Sequence, residues 1–436
     1  MKKVLLIGNG AREHAMAKAL KRDDIELYCV GPANNPGIAE LCEEYLFAKV
    51  TDKDAIASFA ESVRPDFAVL GPESAVEAGV ADMLLELEIH SASPLAIVGR
   101  LESSKAFARD LLEKYQIPGN PTFKVFHDDG GLEEFFDELG DDFVVKADGL
   151  KGGKGVKVSG DHLNGRLEGL AYARECLEES GRVVVEEKLI GQEFSLMSFC
   201  DGTHTVDMPV IQDHKRAYEG DTGPNTGGMG TYSCENHMMP FLTAVDVKEA
   251  SEMNKHVAKA LFEETGVYFK GVMYGGFIAT KNGVRLIEYN ARFGDPEAMN
   301  ALVLLKTSFV DICEAIINKT LDQLDVEFEK KATVCKYVVP EGYPDEAVKD
   351  QKIEIGELPE GVEVFYASVD ERDGDLYLCG SRAVAFVGKG NSVGEAEAVA
   401  QKAVEAVSGP VFYRKDIGTQ ELISKRVEMM KELRGI

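Results

Sequence analysis

The densest chemistry in this 436-residue chain lies in two short passages. One is DHKRAYEGDTGPNTGGMG at 213–230, which joins an Asp-His-Lys-Arg cluster to a run of glycines with almost no apolar side chains. Such a segment cannot be held by its own burial, so it is either disordered or ordered around something it binds. The other, LIEYNARFGDPE at 286–297, begins with a strand pattern and ends in a dense set of charges. Strand alternation puts Leu286, Glu288 and Asn290 on one side. A carboxylate and an amide oxygen two residues apart on a rigid strand suit Mg²⁺, whose other positions go to water and phosphate oxygens. Without a metal, a buried Glu-x-Asn would require other polar partners. Arg292 follows at once, placed to stabilise charge on a transferring phosphoryl group. The preceding strand pattern, GVMYGGFIAT at 271–280, offers no further carboxylate, so a second metal is less securely anchored.

Other constellations are weaker alone. GNGARE at 8–13 begins like a dinucleotide fingerprint, but Glu13 replaces the third glycine, and the next strand ends Val30-Gly31-Pro32 with no acid for a ribose. What survives is a glycine turn opening a helix, either an anion site or a turn that needs glycine for backbone geometry. FVVKADGLKGGKGVKV at 143–158 is strand, glycine loop, strand, which excludes a Walker loop because no helix follows. Its backbone N–H groups can reach phosphates while Lys146, Lys151 and Lys154 supply charge; a solvated loop is the plainer alternative. Lys105 sits in the first turn of a helix, where a cation opposes the dipole by about 0.3–1 kcal/mol and hints at an anionic partner. VVVEEKLIGQEFS at 183–195 runs from a buried strand into acids that can read a base and a ribose, or simply face water. Gly390-Asn-Ser392-Val-Gly394 mimics a nucleophile elbow, but no histidine follows His256, so the hydrolase order fails. Ser392 and Glu395 form a capping box instead.

These groups need a framework, and the chain supplies one. Its length implies two to four domains, and 44% apolar residues suffice for real cores. No apolar run reaches the ~18 residues of a membrane helix, so the expectation is a soluble, cytoplasmic protein. The eight cysteines contain no CxxC pair and the eight histidines no HExxH, so free thiols and no zinc site are expected. A net charge of −27 repels nucleic acid, membranes and phosphates alike. Any phosphate site must therefore be a local basic pocket, screened over a Debye length of about 8 Å.

The first hundred residues alternate strand and helix, including a helix over 11–20, which argues for a parallel α/β unit with ligands at the carboxyl ends of its strands. GNG and GPE (71–73) fall there. A small α+β module covers 121–190. A helix over 246–265 closes at Gly266, a hairpin turns around Asn282-Gly283, and the last hundred residues carry strands and one clear helix.

Taken together, GNGAREHA, KADGLKGGKG, DHKR…GPNTGGMG, EYNARFGDPE and RKDIG (414–418) closely resemble the phosphoribosylamine–glycine ligases, ATP-grasp enzymes of purine synthesis. The resemblance spans essentially the whole chain. It implies an α/β fold with an N-terminal substrate-binding domain (1–103) and a central catalytic domain (104–120 and 191–328). It also implies a lid subdomain (121–190) and a C-terminal mixed β domain (329–436). The implied reaction joins glycine to 5-phosphoribosylamine through glycyl phosphate, releasing ADP and phosphate, with Mg²⁺ or Mn²⁺ as cofactor. The expected partners are these small molecules alone, acting on a monomer.

By the same resemblance, Asn9 and Gly10 hold the sugar phosphate and Glu73 lies by its ribose. Lys105, Lys146, Gly152, Gly153 and Lys154 serve the ATP phosphates. Glu186 and Leu189 line the adenine pocket, and Glu193 binds its ribose. Asp213, Asn225, Thr226, Gly227 and Gly228 bind substrate. Lys215 and Arg216 hold the sugar phosphate or the acyl phosphate, Asp295 holds the glycine ammonium, and Glu288 and Asn290 bind the metal. The chain departs from the family at Lys151 and Gly152, where two alanines are usual, and at Ser381, where Gly-Gly-Arg is usual. Two rivals stand beside this reading. Another ATP-grasp carboxylate–amine ligase would lack the 213–230 passage, and a non-catalytic nucleotide sensor would need neither Glu288-x-Asn290 nor Arg292.

Overall fold

The computed structural model describes residues 1–21, 24–152 and 155–435. Gly153 and Lys154, expected at the phosphate lid, lie outside the described residues. The N-terminal unit is a four-stranded parallel sheet in the spatial order Glu44–Phe47, Ile25–Gly31, Lys2–Ile7, Phe67–Leu70. Apart from the largely exposed edge strand Glu44–Phe47, its strands read as apolar runs because both faces are buried, with Val4 and Leu6 in one core and Leu5 and Ile7 in another. Ile7 stands beside Leu70 in this sheet, so the GNG and GPE turns emerge side by side at the carboxyl edge.

Residues 123–187 form a separate small module around its own core of Phe126, Phe136, Phe143 and Leu170. Its antiparallel strands are Phe123–Phe126, Val183–Glu187, Phe143–Ala147 and Val156–Val158. Helix Leu132–Leu139 of this module is missing from the sequence reading. At two turns between Gly131 and Gly140, it gives too short a periodicity to register.

The central sheet runs Thr205–Asp207, Gly191–Cys200, Gly271–Thr280, Gly283–Asn290, and is backed by helix Ala244–Thr265. That helix ends on Gly266 at φ 73°, as expected, but starts two residues earlier than expected, at a Thr243 cap. The hairpin between the last two strands pairs Thr280 with Gly283, so its turn is Lys281-Asn282, one residue earlier than expected. A β-bulge also interrupts this pair, because Phe277 faces Leu286 while Gly276 faces Glu288, leaving Ile287 as the extra residue. Leu286 is consequently fully buried, whereas Ile287 and Glu288 line a common cleft. The expected sharing of one face by Leu286, Glu288 and Asn290 is thus broken at Leu286. The bulge switches faces there, and Glu288 and Asn290 remain together.

A six-stranded sheet joins the central and C-terminal parts: Gln212–Asp213 pairs with Gly230–Ser233, which pairs with Ala332–Pro340, followed by Val384–Gly390 and Glu363–Tyr366, while Val411–Phe412 also pairs with Ala332–Pro340. The 213–230 passage therefore bridges two strands of a sheet it shares with the C-terminal region. That region has two helices, Val393–Glu405 and Gln420–Arg434, rather than one. Ser392 caps the first, accepting the Glu395 N–H, which disposes of the false elbow. The second buries only Leu422, Ile423 and Met430, too thin an apolar stripe to read from sequence. It docks through Arg434 on Asp246 (2.7 Å) and Arg426 on Asp221 (2.8 Å).

Candidate active site

The bulge at Ile287 is the pivot of the site. Its carbonyl, released from the ladder, accepts from Lys146 Nζ (2.8 Å) and from Arg109 Nη2 (2.7 Å). Both cations also hold the buried carboxylate of Glu186: Arg109 bidentately at 2.8 and 3.0 Å, and Lys146 in direct contact. Burial pushes the Glu186 carboxyl up, but Arg109 and Lys146 outweigh it and keep it below the usual carboxylate range. Glu186 thus fixes the lysine, and its side chain has no free oxygen for adenine. Arg109 was missed in sequence, since one arginine inside a helix carries no distinguishing signal.

Turned so that its nitrogen meets acceptors, the Asn290 amide donates to Glu102 Oε1 (3.0 Å) and to the Tyr289 carbonyl (3.3 Å). Glu288 is partly exposed and lies 3.7 Å from Lys215 Nζ. Burial favours its neutral form, but Lys215, Lys146, Lys105 and Arg292 hold it ionised. Among the described residues no group of three or more His, Cys, Asp or Glu is arranged for a metal. One carboxylate and one amide oxygen therefore suit a hard divalent ion that draws its remaining ligands from phosphate and water.

Lys215 stands in a ring of acids. Burial opposes its charge, yet Glu288, Glu193, Asp213 and Glu297 together raise its pKa. Asp213 is pushed well up by burial and by Glu297, and accepts the His214 N–H at 2.7 Å. Burial likewise raises Glu297, whose partner is the Tyr274 hydroxyl at 2.9 Å. Neither carboxylate has a salt bridge among the described residues. Glu193, Asp213, Lys215, Tyr274, Ile287 and Glu288 line one cleft.

The 213–230 passage is ordered by partners within the protein. Arg216–Tyr218 and Thr222–Asn225 form a two-stranded hairpin pinned from below by Arg414. That guanidinium, 1% exposed, bonds the Arg216 carbonyl (3.1 Å), Asp221 (2.9 Å) and Asp416 (2.6 Å). Asn225 pairs with Arg216 across the hairpin, and Arg216 itself lies 3.8 Å from Asp161 of the small module. The Lys215 carbonyl accepts from both the N–H and the hydroxyl of Thr226, at 2.7 and 2.9 Å, which shapes the turn through Gly227 and Gly228. RKDIG thus acts as an anchor, a role visible only once residues 198 positions apart meet.

A second cluster joins the N-terminal turns to the strand end. Arg292 contacts Glu102 (2.7 Å) and Glu73 (3.3 Å), and Arg12 lies 3.8 Å from the same Glu73 oxygen. Although burial opposes it, these two guanidiniums hold the Glu73 carboxyl down at about 2. Glu297 feels both Lys215 and Arg292, which places the clusters in one electrostatic site. The Gly10 N–H donates to Glu13 Oε2 at 2.6 Å, and a Cβ on Gly8 or Gly71 would collide with the Glu13 side chain. Glycine is therefore required here for space against Glu13, with or without an anion. Asn9 donates to the Ala33 carbonyl (3.1 Å), and Asn35 bridges the Asn9 and Tyr366 carbonyls.

The remaining expected residues are dispersed. Lys105 donates to the Gly149 carbonyl at 2.9 Å, while Asp148 takes the Ala106 N–H at the same helix start. Lys151 turns outward to Glu179 (3.1 Å), and Gly152 adopts φ 56° with open space around it. Leu189 is half-buried and Glu193 is exposed, 4.0 Å from Lys215. Asp295 is already engaged: Tyr337 donates to one oxygen (2.7 Å) and Arg382 faces the other (3.2 Å). Its expected contact with an ammonium meets a carboxylate with both oxygens occupied.

The chain matches the phosphoribosylglycinamide synthetase N domain over residues 2–102, the ATP-grasp (A) domain over 103–298 and the C domain over 333–420. It is 51% identical to the phosphoribosylamine–glycine ligase of Methanocaldococcus jannaschii, covering 99% of this chain and 100% of the relative. Identity to the ligase of Methanosarcina acetivorans is 48%, over 99% and 98% of the two chains. Among solved structures, phosphoribosylamine–glycine ligase from Thermotoga maritima superposes with a TM-score of 0.79 at 27% identity, over 95% and 99% of the chains. The biotin carboxylase domain of a Hydrogenobacter thermophilus 2-oxoglutarate carboxylase shares the fold at a TM-score of 0.71 and 16% identity, over 99% and 94% of the chains. The chain belongs to the phosphoribosylamine–glycine ligase family.

Proposed function

We infer that the family membership and the geometry describe one activity, the ATP-dependent, ADP-forming ligation of glycine to 5-phosphoribosylamine in purine biosynthesis. The observation that carries it is Lys215, which the family-specific passage places 3.7 Å from Glu288. That contact joins a specific substrate loop to a general nucleotide site.

In the mechanism proposed, a glycine carboxylate oxygen attacks the γ-phosphorus of ATP and ADP leaves, forming glycyl phosphate. The ribosylamine nitrogen then attacks the acyl carbon. The amide forms as the amine gives up a proton, and the C–O bond to phosphate breaks. Both steps depend on positioning and on neutralising transferred charge. Lys146, fixed by Glu186 and the Ile287 carbonyl, serves the ATP phosphates with Lys105 and the 149–154 loop. Lys215 and Arg292 neutralise the transferred phosphoryl group. Leu189 and the Glu186 backbone border the adenine, and Glu193 the ribose. Glu288 and Asn290 would hold a divalent ion, Mg²⁺ or Mn²⁺, which supplies charge neutralisation on phosphate oxygens. The glycine ammonium falls to half-buried Asp213 and buried Glu297, neither of which has a salt bridge among the described residues. Asn9, Gly10 and Glu73 receive the phosphoribosylamine.

No helix among the described residues is long and apolar enough to cross a membrane, and a cytoplasmic monomer acting on small molecules completes the reading. ADP release measured with each substrate omitted in turn tests it. Full rate should require ATP, glycine, phosphoribosylamine and a divalent ion together. Equal turnover with aspartate in place of glycine would instead indicate another carboxylate–amine ligase.

A further inference from the structure

The mechanism above leaves Arg382 without a role, although its turn, Gly380-Ser381-Arg382, departs from the family pattern. The side chain is 14% exposed. Its Nη1 donates to the carbonyls of Gly227 (2.7 Å), Gly228 (3.0 Å) and Asp295 (3.2 Å). Its Nη2 lies 3.2 Å from Asp295 Oδ2, and its carbon sits 4.5 Å from the centre of the Tyr337 ring. The Tyr337 hydroxyl completes the knot on Asp295 Oδ1 at 2.7 Å. One C-terminal guanidinium therefore ties together two turns that lie 67 or more residues apart in sequence (295 minus 228).

The tied turns are in hard contact. A Cβ on Gly228 would lie 2.7 Å from Pro296 Cδ and 2.8 Å from Asp213 Oδ1, and one on Gly227 would lie 3.0 Å from Arg382 Cζ. Asp213 is thus roofed by a turn whose height is set by its bonds to Arg382. A lysine cannot reproduce this, since a single ammonium lacks the planar fork that spans three carbonyls and a carboxylate. Removing the guanidinium leaves those carbonyls and the Asp295 carboxylate to find water, which lets the 227–228 turn lift from Pro296.

We propose that Arg382 is a positioning residue for the amino-acid end of the site, stapling the 226–228 turn to the Asp295–Pro296 turn so that the space beside Asp213 favours glycine over α-substituted amino acids. This rests on glycine being the acid that is ligated. It assigns to the C-terminal region a share in substrate selection exerted through Asp295 and the glycine turn.

The test compares full-length Arg382→Lys, Arg382→Gln, Asp295→Asn and the Gln/Asn double variant, each first checked by thermal melting. KM and kcat are measured for glycine, alanine and ATP. Arg382→Gln should raise KM for glycine and narrow the glycine-over-alanine ratio of kcat/KM by about tenfold or more, the discrimination one methyl group commonly supplies. KM for ATP should stay within about twofold, a shift small against the tenfold step that 1.4 kcal/mol represents. Arg382→Lys should not restore the ratio, and the double variant should be no worse than the poorer single one, because both act through one contact. If Arg382→Gln fails to fold, Tyr337→Phe removes one hydroxyl from the same knot and should narrow the ratio in the same direction. An unchanged ratio in a folded variant, full restoration by lysine, or additive losses would overturn the proposal. Wild-type ADP release that ignores glycine contradicts the ligase reading itself, a result separable from any difference between variants.

Discussion

Glu186 and Glu288 are both carboxylates set among cations, but their partners separate their roles. Glu186 is locked by Arg109 and Lys146, whereas Glu288 keeps an open side and a looser contact with Lys215. Glu288→Ala should therefore lower kcat by on the order of 10² or more while ATP still binds, since one lost charge-stabilising group commonly costs that much. Steady-state kinetics beside nucleotide titration checks this; near-normal turnover removes Glu288 from the metal site. Two buried histidines bear on stability instead. Burial lowers His14 and His214 from 6.5 to about 3. Between those values the unfolded chain binds protons that the folded chain refuses. Their contribution is whole above pH 6.5 and declines toward pH 3, by about 1.4 kcal/mol per pH unit for each. His14 accepts the Tyr366 N–H at 3.0 Å, a bond that asparagine can keep. His14→Asn should flatten the pH dependence of urea unfolding between pH 7 and about 5 by one proton's worth, and an unchanged slope would contradict the assignment. At this scale the sequence revealed which residues could do chemistry. It could not reveal Arg109, Arg414 or Arg382, whose meaning lies in partners far along the chain.

Elements turn those residues into a site through two local irregularities. The bulge at Ile287 frees a carbonyl for Lys146 and reverses the facing of Leu286, which simple alternation does not anticipate. At the N-terminal turn, Glu13 fills the space that a third fingerprint glycine would leave and bonds the Gly10 N–H. A valine at Gly10 would put its Cβ 2.8 Å from the Glu13 carboxylate, so this support must move. Gly10 has φ −84°, which valine tolerates, so the variant should fold. Gly10→Val should raise KM for phosphoribosylamine on the order of tenfold, the scale of one displaced charged hydrogen bond, with KM for ATP little changed. A folded variant that loses ATP affinity instead would move the nucleotide to the N-terminal turn. The alternating N-terminal unit with helix Ala11–Leu20, and the 22-residue helix Ala244–Thr265 closed by Gly266, were legible in the sequence. Helices Leu132–Leu139 and Gln420–Arg434 were not, because one is two turns long and the other is held mainly by ion pairs.

The whole molecule carries a charge of −27, yet gathers Lys105, Lys146, Lys215, Arg12 and Arg292 around a single site. That gathering depends on the C-terminal region folding back. Helix Gln420–Arg434 holds Asp221 at the tip of the hairpin and Asp246 at the start of the central helix. Ending the chain at Gly418 should lower the unfolding midpoint by about 5 °C or more, the scale expected from losing two partly buried ion pairs and their packing. An unshifted midpoint in scanning calorimetry would show the helix to be dispensable. The central claim is chemical: glycine is activated on its own carboxylate at this assembled site. Turnover of glycine labelled with ¹⁸O in both carboxylate oxygens, followed by mass analysis of the inorganic phosphate, tests it directly. Glycyl phosphate formation predicts one ¹⁸O in each phosphate released, carried over when the acyl carbon–oxygen bond breaks. Phosphate free of ¹⁸O, with glycinamide ribonucleotide still formed, would contradict the account.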